Sequence, residues 1–280
     1  MERVINRPAH AKINPFLRVL RRRDDDYHDI ESLVLPVSLA DDVAVRQSPE
    51  LRLTVRGELA DAVPLGEDNL VMRAARALSG AAGVEEGADI ELTKRVPVAA
   101  GLGGGSADAA ATMLALDELW GCGFKGEELL SFAAAVGSDV PALLHGGPVI
   151  VRGRGEIVEP VDVKPSWWVL VPMSFGVLVG DAYEWWADSG MGSGFDFLPV
   201  LAASEGRLDR VAGALFNVLE AGVAARHIEI LAVKRELREL GALATIMCGS
   251  GPTVAGLVPD EREAQRIADA MPGSVAVSAP

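Results

Sequence analysis

The residues best suited to chemistry form a glycine-rich segment near the middle of the chain, Pro97-Val98-Ala99-Ala100-Gly101-Leu102-Gly103-Gly104-Gly105-Ser106-Ala107. A strand pattern precedes it and an alanine-rich helix pattern follows it. Glycine lets the backbone adopt a positive φ and lets a ligand reach main-chain amides without meeting a Cβ atom. The N-terminus of the following helix adds unpaired N–H groups and the positive end of its dipole, and both favour a phosphate. The segment therefore predicts a phosphate-binding loop.

Three familiar glycine motifs do not match this segment. A P-loop requires lysine and then serine or threonine after its last glycine, whereas Gly105 is followed by Ser106 and Ala107. The dinucleotide-binding fingerprint requires glycine where Ser106 stands. A serine-hydrolase elbow would need glycine at Asp108. The segment thus predicts a phosphate loop of another kind.

Two further segments place a charged side chain in an apolar setting. In the N-terminal strand pattern, Lys12 and Asn14 point to one face while Ala11 and Ile13 point to the other. A lysine there either reaches towards water or is held for a polar partner. Asp139 follows an apolar helix pattern, a position typical of a turn residue or a helix cap. By themselves, these residues have ordinary structural interpretations.

Two short segments could contact a ligand through a ring or through bare backbone. Tyr27 and His28 follow a block of opposite charges that predicts a solvated turn. Together they offer a stackable ring and a hydrogen-bonding imidazole, the groups that read nucleobases. Gly249-Ser250-Gly251 lies between two strand patterns and predicts either a simple turn or close approach of the backbone to a ligand.

The composition is that of an acidic globular chain. Its 280 residues suggest about two domains, at roughly 150 residues per domain. The net charge of −14 and the pI near 4.8 disfavour general binding to nucleic acid or to anionic membranes. A hydrophobic content of 49% excludes a disordered chain. Neither a membrane-spanning run nor a secretory signal is found in the sequence, so we expect a cytoplasmic protein.

The elements that must position these residues alternate between strands and helices. Strand patterns are predicted at residues 9–20, 30–39, 51–55, 90–92, 149–151 and 167–171. A helix is predicted from about Asn69, with Asp68 opening it and Gly83 closing it. The mixture predicts an α+β fold, with an antiparallel or mixed sheet in the second half of the chain. We expect two domains, residues 1–160 and residues 161–280.

Taken together and in this order, the segments resemble one kinase superfamily. The stretches that carry the resemblance are AKINPFLRV, RRRDDDYHDIESLVLPVSLADDV, PVAAGLGGGSADAA, GSDVPALLHGGPVIVRGRGE and MCGSGPTVAGL. They are similar to the GHMP kinases, which include galactokinase, homoserine kinase, mevalonate kinase and phosphomevalonate kinase. The triple glycine and the DYH segment resemble the branch that acts on a cytidine-diphosphate-linked alcohol in the non-mevalonate isoprenoid pathway.

The resemblance implies a fold and a reaction. The N-terminal domain would be like ribosomal protein S5 domain 2, and the C-terminal domain would be ferredoxin-like. The reaction would transfer the γ-phosphoryl group of ATP to the 2-hydroxyl of 4-diphosphocytidyl-2-C-methylerythritol. Mg²⁺ is expected with ATP, although no protein ligand for it is assigned. The partner would be this small molecule alone, without nucleic acid or membrane, and the protein would be a monomer or a homodimer.

The resemblance also assigns roles to individual residues. Lys12 and Asp139 match the catalytic pair, and the residues from Pro97 to Ala107 match the ATP phosphate loop. The positions that match the substrate pocket are Asn14, Tyr27 and His28. The positions that match the third glycine motif are Gly249, Ser250 and Gly251.

Several positions depart from the family's pattern. Asp26 stands where glycine usually precedes the Tyr-His pair, Ala107 replaces a second serine, and Val218 replaces an aspartate. A Ser/Thr pair common near residues 178–179 is also missing. Two alternatives stay open: a related kinase acting on homoserine or a mevalonate-type alcohol, and a non-enzymatic member that binds nucleotide.

Overall fold

Two long strands, Val4–Arg22 (β1) and His28–Ser48 (β2), organise the computed structural model, which describes residues 3–66, 68–84, 87–190, 200 and 203–280. Both strands pass from one compact unit of the chain into another. The first unit comprises Met1–Ala11, Leu39–Val98 and Gly103–Gly146, and the second comprises Lys12–Ser38, Ala99–Leu102 and Gly147–Pro280. The two units interleave along the sequence, and the predicted domain boundary after residue 160 stays a prediction.

The first unit combines helices with strands β3 (Arg52–Arg56) and β4 (Gly87–Thr93). Strand β4 pairs with β2 in antiparallel fashion and with β3 in parallel fashion. The helices of its described residues are α1 (Leu70–Ala82), α2 (Gly104–Trp120), α3 (Glu127–Val136) and α4 (Val140–His145), besides a 3-10 turn at Ala60–Ala62. The sheet here is therefore mixed, because β4 has an antiparallel neighbour on one side and a parallel neighbour on the other.

Apolar faces of these helices form the core of the first unit. In α1, the buried residues Val71, Ala74, Ala75 and Leu78 recur at the spacing of one helix face. In α2, alanines occupy half of the buried positions, and α1 and α4 both pack against it. Small side chains let neighbouring helices approach closely, so α2 is fixed in the middle of the unit with the glycine segment at its start.

The second unit contains a four-stranded antiparallel sheet in the order β11-β7-β10-β9. Along the chain, one strand precedes helices, two strands follow, and a last helix leads to the final strand. Besides its parts of β1 and β2, the unit contains the strands β5 (Val149–Gly153), β6 (Ile157–Pro160), β7 (Ser166–Val171), β8 (Phe216–Asn217), β9 (Ala244–Met247), β10 (Val254–Val258) and β11 (Val275–Ala279). The arrangement of β7, β9, β10 and β11 is ferredoxin-like, as predicted.

Helices and the remaining strands complete the second unit. The helices of its described residues include α5 (Val179–Ser189), α6 (Leu208–Ala214), α7 (Glu220–Arg226), α8 (Glu229–Glu239) and α9 (Glu261–Ala270). Strand β8 runs parallel to β1, with Phe216 opposite Phe16. Strand β5 runs antiparallel to β2, with Gly153 opposite Ile30. The mixture of helices and strands confirms the predicted α+β class.

One predicted helix start needs correction. The helix expected to open at Asp68 has Asn69 as its N-cap, because Asn69 Oδ1 accepts a hydrogen bond from the Val71 backbone N–H at 2.8 Å. Gly83 closes the helix as predicted, with a φ of +62°. Among the helices in the part of the chain that the structure describes, none is long and apolar enough to cross a membrane.

Candidate active site

Lys12 lies buried in β1, where uncharged oxygen atoms surround part of its ammonium group. Its Nζ donates to Asn14 Oδ1 and to the Gly101 carbonyl oxygen, both at 2.8 Å, and the residue is only 4% exposed. Its backbone N–H donates to the Leu102 carbonyl oxygen at 2.9 Å. A buried charge is tolerable only where polar atoms replace its hydration. Of the two interpretations of this lysine, the structure therefore favours the one in which polar partners hold it.

A chain of hydrogen bonds fixes the orientation of Asn14. Its Nδ2 donates to Ser32 Oγ at 2.9 Å, and Ser32 Oγ donates in turn to the Phe16 carbonyl oxygen at 2.6 Å. Because the amide nitrogen is engaged in this way, Asn14 Oδ1 faces the lysine as an acceptor. The predicted pair Lys12 and Asn14 thus shares one face of β1, and the structure brings their side chains into direct contact.

Two glycine turns approach the lysine with bare backbone. Gly249 has a φ of +53°, and a Cβ atom there would lie 2.8 Å from Lys12 Nζ and 2.9 Å from the Gly101 carbonyl oxygen. Gly101 has a φ of +75°, and a Cβ atom there would lie 2.1 Å from the Cys248 carbonyl oxygen. Only glycine fits at these two positions. The third glycine motif and the glycine segment therefore meet at Lys12.

Replacing Gly101 with alanine is expected to destabilise the protein by at least about 1–2 kcal/mol, the cost of a left-handed conformation before any clash is counted. Gly105→Ala is the matched control, because its Cβ would meet only Leu70 Cδ1, at an ordinary 3.7 Å, inside a helix. That change should be neutral or stabilising by up to about 1 kcal/mol. Denaturant unfolding of the two variants measures the difference, and equal stabilities would contradict the geometry.

Cys248 contributes a neutral thiol beside the lysine. Burial raises its pKa to about 12, although the charge of Lys12 acts in the opposite direction. The two cysteines, Cys122 and Cys248, are both free. Because the thiolate is the nucleophilic form, Cys248 is inert at neutral pH.

Backbone hydrogen bonds hold the middle of the glycine segment within the second unit. The Val177 N–H donates to the Ala99 carbonyl oxygen, and the Thr253 N–H donates to that of Ala100, both at 3.3 Å. Ala99 itself has a φ of +53°, which is uncommon for a residue with a side chain. These contacts fix the segment on the side of the second unit that also carries the third glycine motif.

The end of the glycine segment forms the first turn of α2 in the first unit. Gly103 is the N-cap, with a φ of +68°, and has no side chain that could accept a hydrogen bond. The first helical bond runs from the Ala107 N–H to the Gly103 carbonyl oxygen at 2.9 Å. The amides of residues 104–106 precede that bond and have no acceptor within the helix. This is the donor arrangement that a phosphate group requires.

Asp139 occupies the N-cap position of α4, but its carboxylate makes no capping hydrogen bond. The turn before it lies near the first turn of α2, since a Cβ atom on Gly137 would be 3.9 Å from Ser106 Oγ. The structure therefore brings the turn that carries Asp139 close to Ser106 within the first unit. A capping role therefore does not explain why an aspartate occupies this position.

His28 belongs to an aromatic group in the second unit, and Tyr27 directly precedes it in the chain. The His28 ring stacks on Tyr183, with centroids 4.9 Å apart, and Trp186 meets it edge-on at 5.7 Å. Burial, and to a smaller degree the charge of Arg22, lowers the pKa of His28, so its imidazole is neutral at pH 7. The Tyr27 side chain is half exposed, with the Arg154 guanidinium 4.7 Å from its ring centroid. Sequence reasoning missed the two aromatic neighbours on α5.

Two departures from the family's pattern have clear structural settings. Asp26 adopts a φ of +64°, so the turn keeps the left-handed conformation that glycine would supply. Aspartate is among the few residues with side chains that tolerate this region. Val218 is only 1% exposed, and its backbone N–H donates to the Leu17 carbonyl oxygen at 3.0 Å. An apolar side chain suits that buried position.

Asn217 is a further residue of the site that sequence reasoning did not select. Its Nδ2 donates to the carbonyl oxygens of Met247 and Gly249, at 2.8 and 2.7 Å. Its Oδ1 accepts a hydrogen bond from the Leu219 N–H at 3.0 Å. The buried amide therefore fixes the turn that brings Gly249 against Lys12. No local pattern around Asn217 signals this role.

The part of the chain that the structure describes contains no evident set of metal ligands. Among those residues, no three His, Cys, Asp or Glu side chains cluster so that they could hold an ion. The Mg²⁺ expected with ATP stays a prediction without assigned protein ligands.

Comparisons with known proteins agree with the resemblance seen in the sequence. The family models for the GHMP kinases N terminal domain and the GHMP kinases C terminal match residues 69–147 and 199–276. A 4-diphosphocytidyl-2-C-methyl-D-erythritol kinase from Pelotomaculum thermopropionicum is 41% identical over 267 residues, covering 95% of this chain and 93% of that protein.

Solved structures extend the comparison to the fold. A crystal structure of 4-(cytidine 5'-diphospho)-2C-methyl-D-erythritol kinase matches with a TM-score of 0.84 and 32% identity, covering 98% of this chain and 99% of the other. A homoserine kinase from Cytophaga hutchinsonii matches with a TM-score of 0.71 at 21% identity, covering 100% of this chain and 95% of the other. The second match reflects a shared fold, and the two-domain α+β architecture predicted from the sequence is confirmed.

Proposed function

This chain belongs to the family of 4-diphosphocytidyl-2-C-methyl-D-erythritol kinases within the GHMP kinases, and from that premise we propose how its residues act. It is a phosphotransferase of the non-mevalonate isoprenoid pathway, and its family implies ATP as co-substrate. We propose that the γ-phosphoryl group goes to the 2-hydroxyl of 4-diphosphocytidyl-2-C-methylerythritol. The observation that carries the proposal is the buried Lys12 ammonium group, which two glycine turns approach with bare backbone.

The glycine segment from Pro97 to Ala107 holds the ATP phosphates in this proposal. The amides of residues 104–106, which have no acceptor within the helix, and the positive end of the α2 dipole supply the attraction. These donors are local, so they can act although the chain carries a net charge of −14. Overall attraction of a polyanion is not needed where backbone donors point at the phosphate.

Phosphoryl transfer asks a protein mainly to position groups and to neutralise charge, because its transition state is loose. Asp139 accepts the proton of the substrate hydroxyl or aligns that hydroxyl for in-line attack. Lys12 stabilises the negative charge that develops on the reacting oxygens. Asn14 and the Gly101 carbonyl oxygen hold the ammonium group in place for this purpose.

Mg²⁺ and the cellular context complete the proposal. Mg²⁺ would enter with ATP, since this ion usually keeps several waters and binds through substrate phosphates with one or two carboxylates. When bound, it neutralises phosphate charge. We further propose that the protein works in the cytoplasm as a monomer or a homodimer, and that its partner is the small-molecule substrate rather than nucleic acid or membrane.

The cytidyl end of the substrate is proposed to contact Asn14, Tyr27 and His28. Tyr27 offers an exposed ring for stacking. The neutral imidazole of His28, whose ring is fixed by Tyr183, offers an edge for hydrogen bonding. Gly249, Ser250 and Gly251 form the backbone wall beside Lys12 in this assignment.

Replacing His28 with alanine is expected to raise the KM for the cytidyl substrate by about 5–150-fold, which corresponds to about 1–3 kcal/mol. The KM for ATP should change less than twofold, because the imidazole is assigned to the other substrate. Steady-state kinetics with each substrate varied in turn measures both constants. Equal effects on the two KM values, or none, would mean that His28 has only a structural role.

A coupled assay of ADP release tests the proposed substrate. The wild-type protein is given ATP and Mg²⁺ with 4-diphosphocytidyl-2-C-methylerythritol, homoserine or mevalonate in parallel reactions. The proposal expects turnover that depends on the cytidyl alcohol and exceeds that with the other two by orders of magnitude. Preference for homoserine or mevalonate would indicate a related kinase, and no turnover with any alcohol would indicate a nucleotide-binding member without catalysis.

A further inference from the structure

A buried cluster of three charged side chains lies beneath the start of α2. Lys94 follows β4 and forms an ion pair with Asp41 of β2, and its Nζ donates to Asp108 Oδ2 at 2.8 Å. The side chains of all three are between 0 and 3% exposed. Charged groups are rarely buried so completely unless they are paired. The cluster lies outside the residues assigned to ATP or substrate.

The cluster fixes the chain that enters the glycine segment. The Asp41 carboxylate accepts hydrogen bonds from the backbone N–H groups of Arg95 and Val96 through Oδ1. The Lys94 N–H donates to the Arg56 carbonyl oxygen at 2.8 Å. The residues directly before Pro97 are therefore held in place by Asp41 and by the end of β3, so they do not form a flexible connection.

The same cluster reaches the helix that leaves the glycine segment. Asp108 is the fifth residue of α2, one turn after its start. Gly104, the first helical residue, packs directly on the entering chain, since a Cβ atom there would lie 2.9 Å from Val96 Cγ1 and 3.3 Å from Lys94 Nζ. Lys94 thus ties the entry and the exit of the segment together within the first unit.

We propose that Asp108 is a positioning residue for ATP. Through its contacts with Lys94 and Asp41, it fixes the first turn of α2 relative to the chain that enters the glycine segment, so that the first-turn amides are in place for the phosphates. This inference rests on the proposed ATP site. This restraint matters because amides that are mobile before binding lose conformational entropy when the ligand binds, and that loss weakens the affinity. Pre-ordered donors avoid that cost.

The protonation state of Asp108 guides the choice of variants. Burial raises its pKa to about 7, with Lys94 acting in the opposite direction and Asp41 in the same direction. The two helices that pack against α2, α1 and α4, bury only apolar residues, so neither helix adds a buried charge to this cluster. Among the residues that the structure describes, none forms a hydrogen bond with Asp108 Oδ1, so this oxygen has no donor there that would favour the charged form. Asparagine reproduces the uncharged form and can still accept from Lys94.

Two variants of Asp108 distinguish the role of its hydrogen bond with Lys94 from the role of its charge. Asp108→Asn removes the charge but keeps an acceptor for Lys94, whereas Asp108→Ala removes both. Asp117→Ala is a matched control on the same helix, because it also loses one hydrogen bond, from the Phe124 N–H at 3.0 Å. Calorimetry with ATP and thermal unfolding are measured for the three variants and the wild-type chain.

We expect the dissociation constant for ATP to be about tenfold higher in Asp108→Ala than in Asp108→Asn, a factor worth about 1.4 kcal/mol. Asp108→Asn should bind ATP as well as the wild-type chain or better, and Asp117→Ala should lose stability without losing affinity. If the wild-type chain binds ATP but the two variants, Asp108→Ala and Asp108→Asn, bind it with equal affinity, this inference alone is overturned. Failure of the wild-type chain to bind ATP would overturn the proposed function as well.

Discussion

Replacing Asp139 with asparagine is expected to lower kcat by about 10²–10⁴-fold, because the amide keeps size and shape but cannot accept the hydroxyl proton. ATP affinity and thermal stability should stay nearly unchanged. The carboxylate does not cap α4, so the substitution removes no capping hydrogen bond. Steady-state turnover at saturating substrates, calorimetry with ATP and thermal unfolding measure the three quantities.

Asp260 provides a matched control for this prediction. It is also the N-cap of a helix, α9, but its Oδ1 accepts a hydrogen bond from the Glu263 N–H at 2.9 Å. Asp260→Ala should therefore cost about 1 kcal/mol of stability and leave kcat unchanged. Asp139→Ala should instead lower kcat, and it removes no capping hydrogen bond. A kcat near the wild-type value in a folded Asp139 variant would remove that residue from the mechanism.

Replacing Lys12 with methionine is expected to lower kcat by about 10²–10³-fold, since one preorganised charge that stabilises the transition state is lost. Methionine keeps an unbranched stem in the buried position. It leaves Asn14 Oδ1 and the Gly101 carbonyl oxygen without their donor, so stability should also fall by about 1–3 kcal/mol. Turnover and unfolding are measured on the same preparation.

Lys12→Arg serves as the companion variant. Its charge is retained, but a planar guanidinium group is larger and differs in shape from an ammonium group. The backbone of Gly249 lies so close that even a Cβ atom there would be 2.8 Å from Lys12 Nζ. Arginine should therefore not restore the rate. Full activity of either Lys12 variant would show that the reaction does not require this ammonium group.

Local patterns in the sequence predicted much of the fold. Alternation of apolar and polar residues identified β4 through Ile90 and Leu92, and a glycine in the left-handed conformation ended α1 at Gly83. The start of α1 was predicted one residue too early, because Asp68 and Asn69 are both good N-caps. Residue type alone could not decide between two adjacent candidates, since the choice depends on which side chain reaches the Val71 N–H.

Contacts between distant parts of the chain could not be derived from local patterns. Lys12 and Gly101 are 89 positions apart, and their hydrogen bond depends on how β1 and the glycine segment fold together. The importance of Lys12 therefore came from the resemblance to a family. Asn217 and the cluster around Lys94 were missed for the same reason, since each carries an ordinary polar side chain whose partners lie far away in sequence.

Transfer of labelled phosphate tests the central claim most directly. The wild-type protein is incubated with Mg²⁺, ATP labelled in its γ-phosphoryl group and 4-diphosphocytidyl-2-C-methylerythritol, and the products are separated and examined by phosphorus NMR. The account predicts that the label appears as one phosphate monoester on the 2-hydroxyl, in a one-to-one ratio with ADP, and that Asp139→Asn forms it at least about 10²-fold more slowly. Label found only in free inorganic phosphate, or on another hydroxyl, would contradict it.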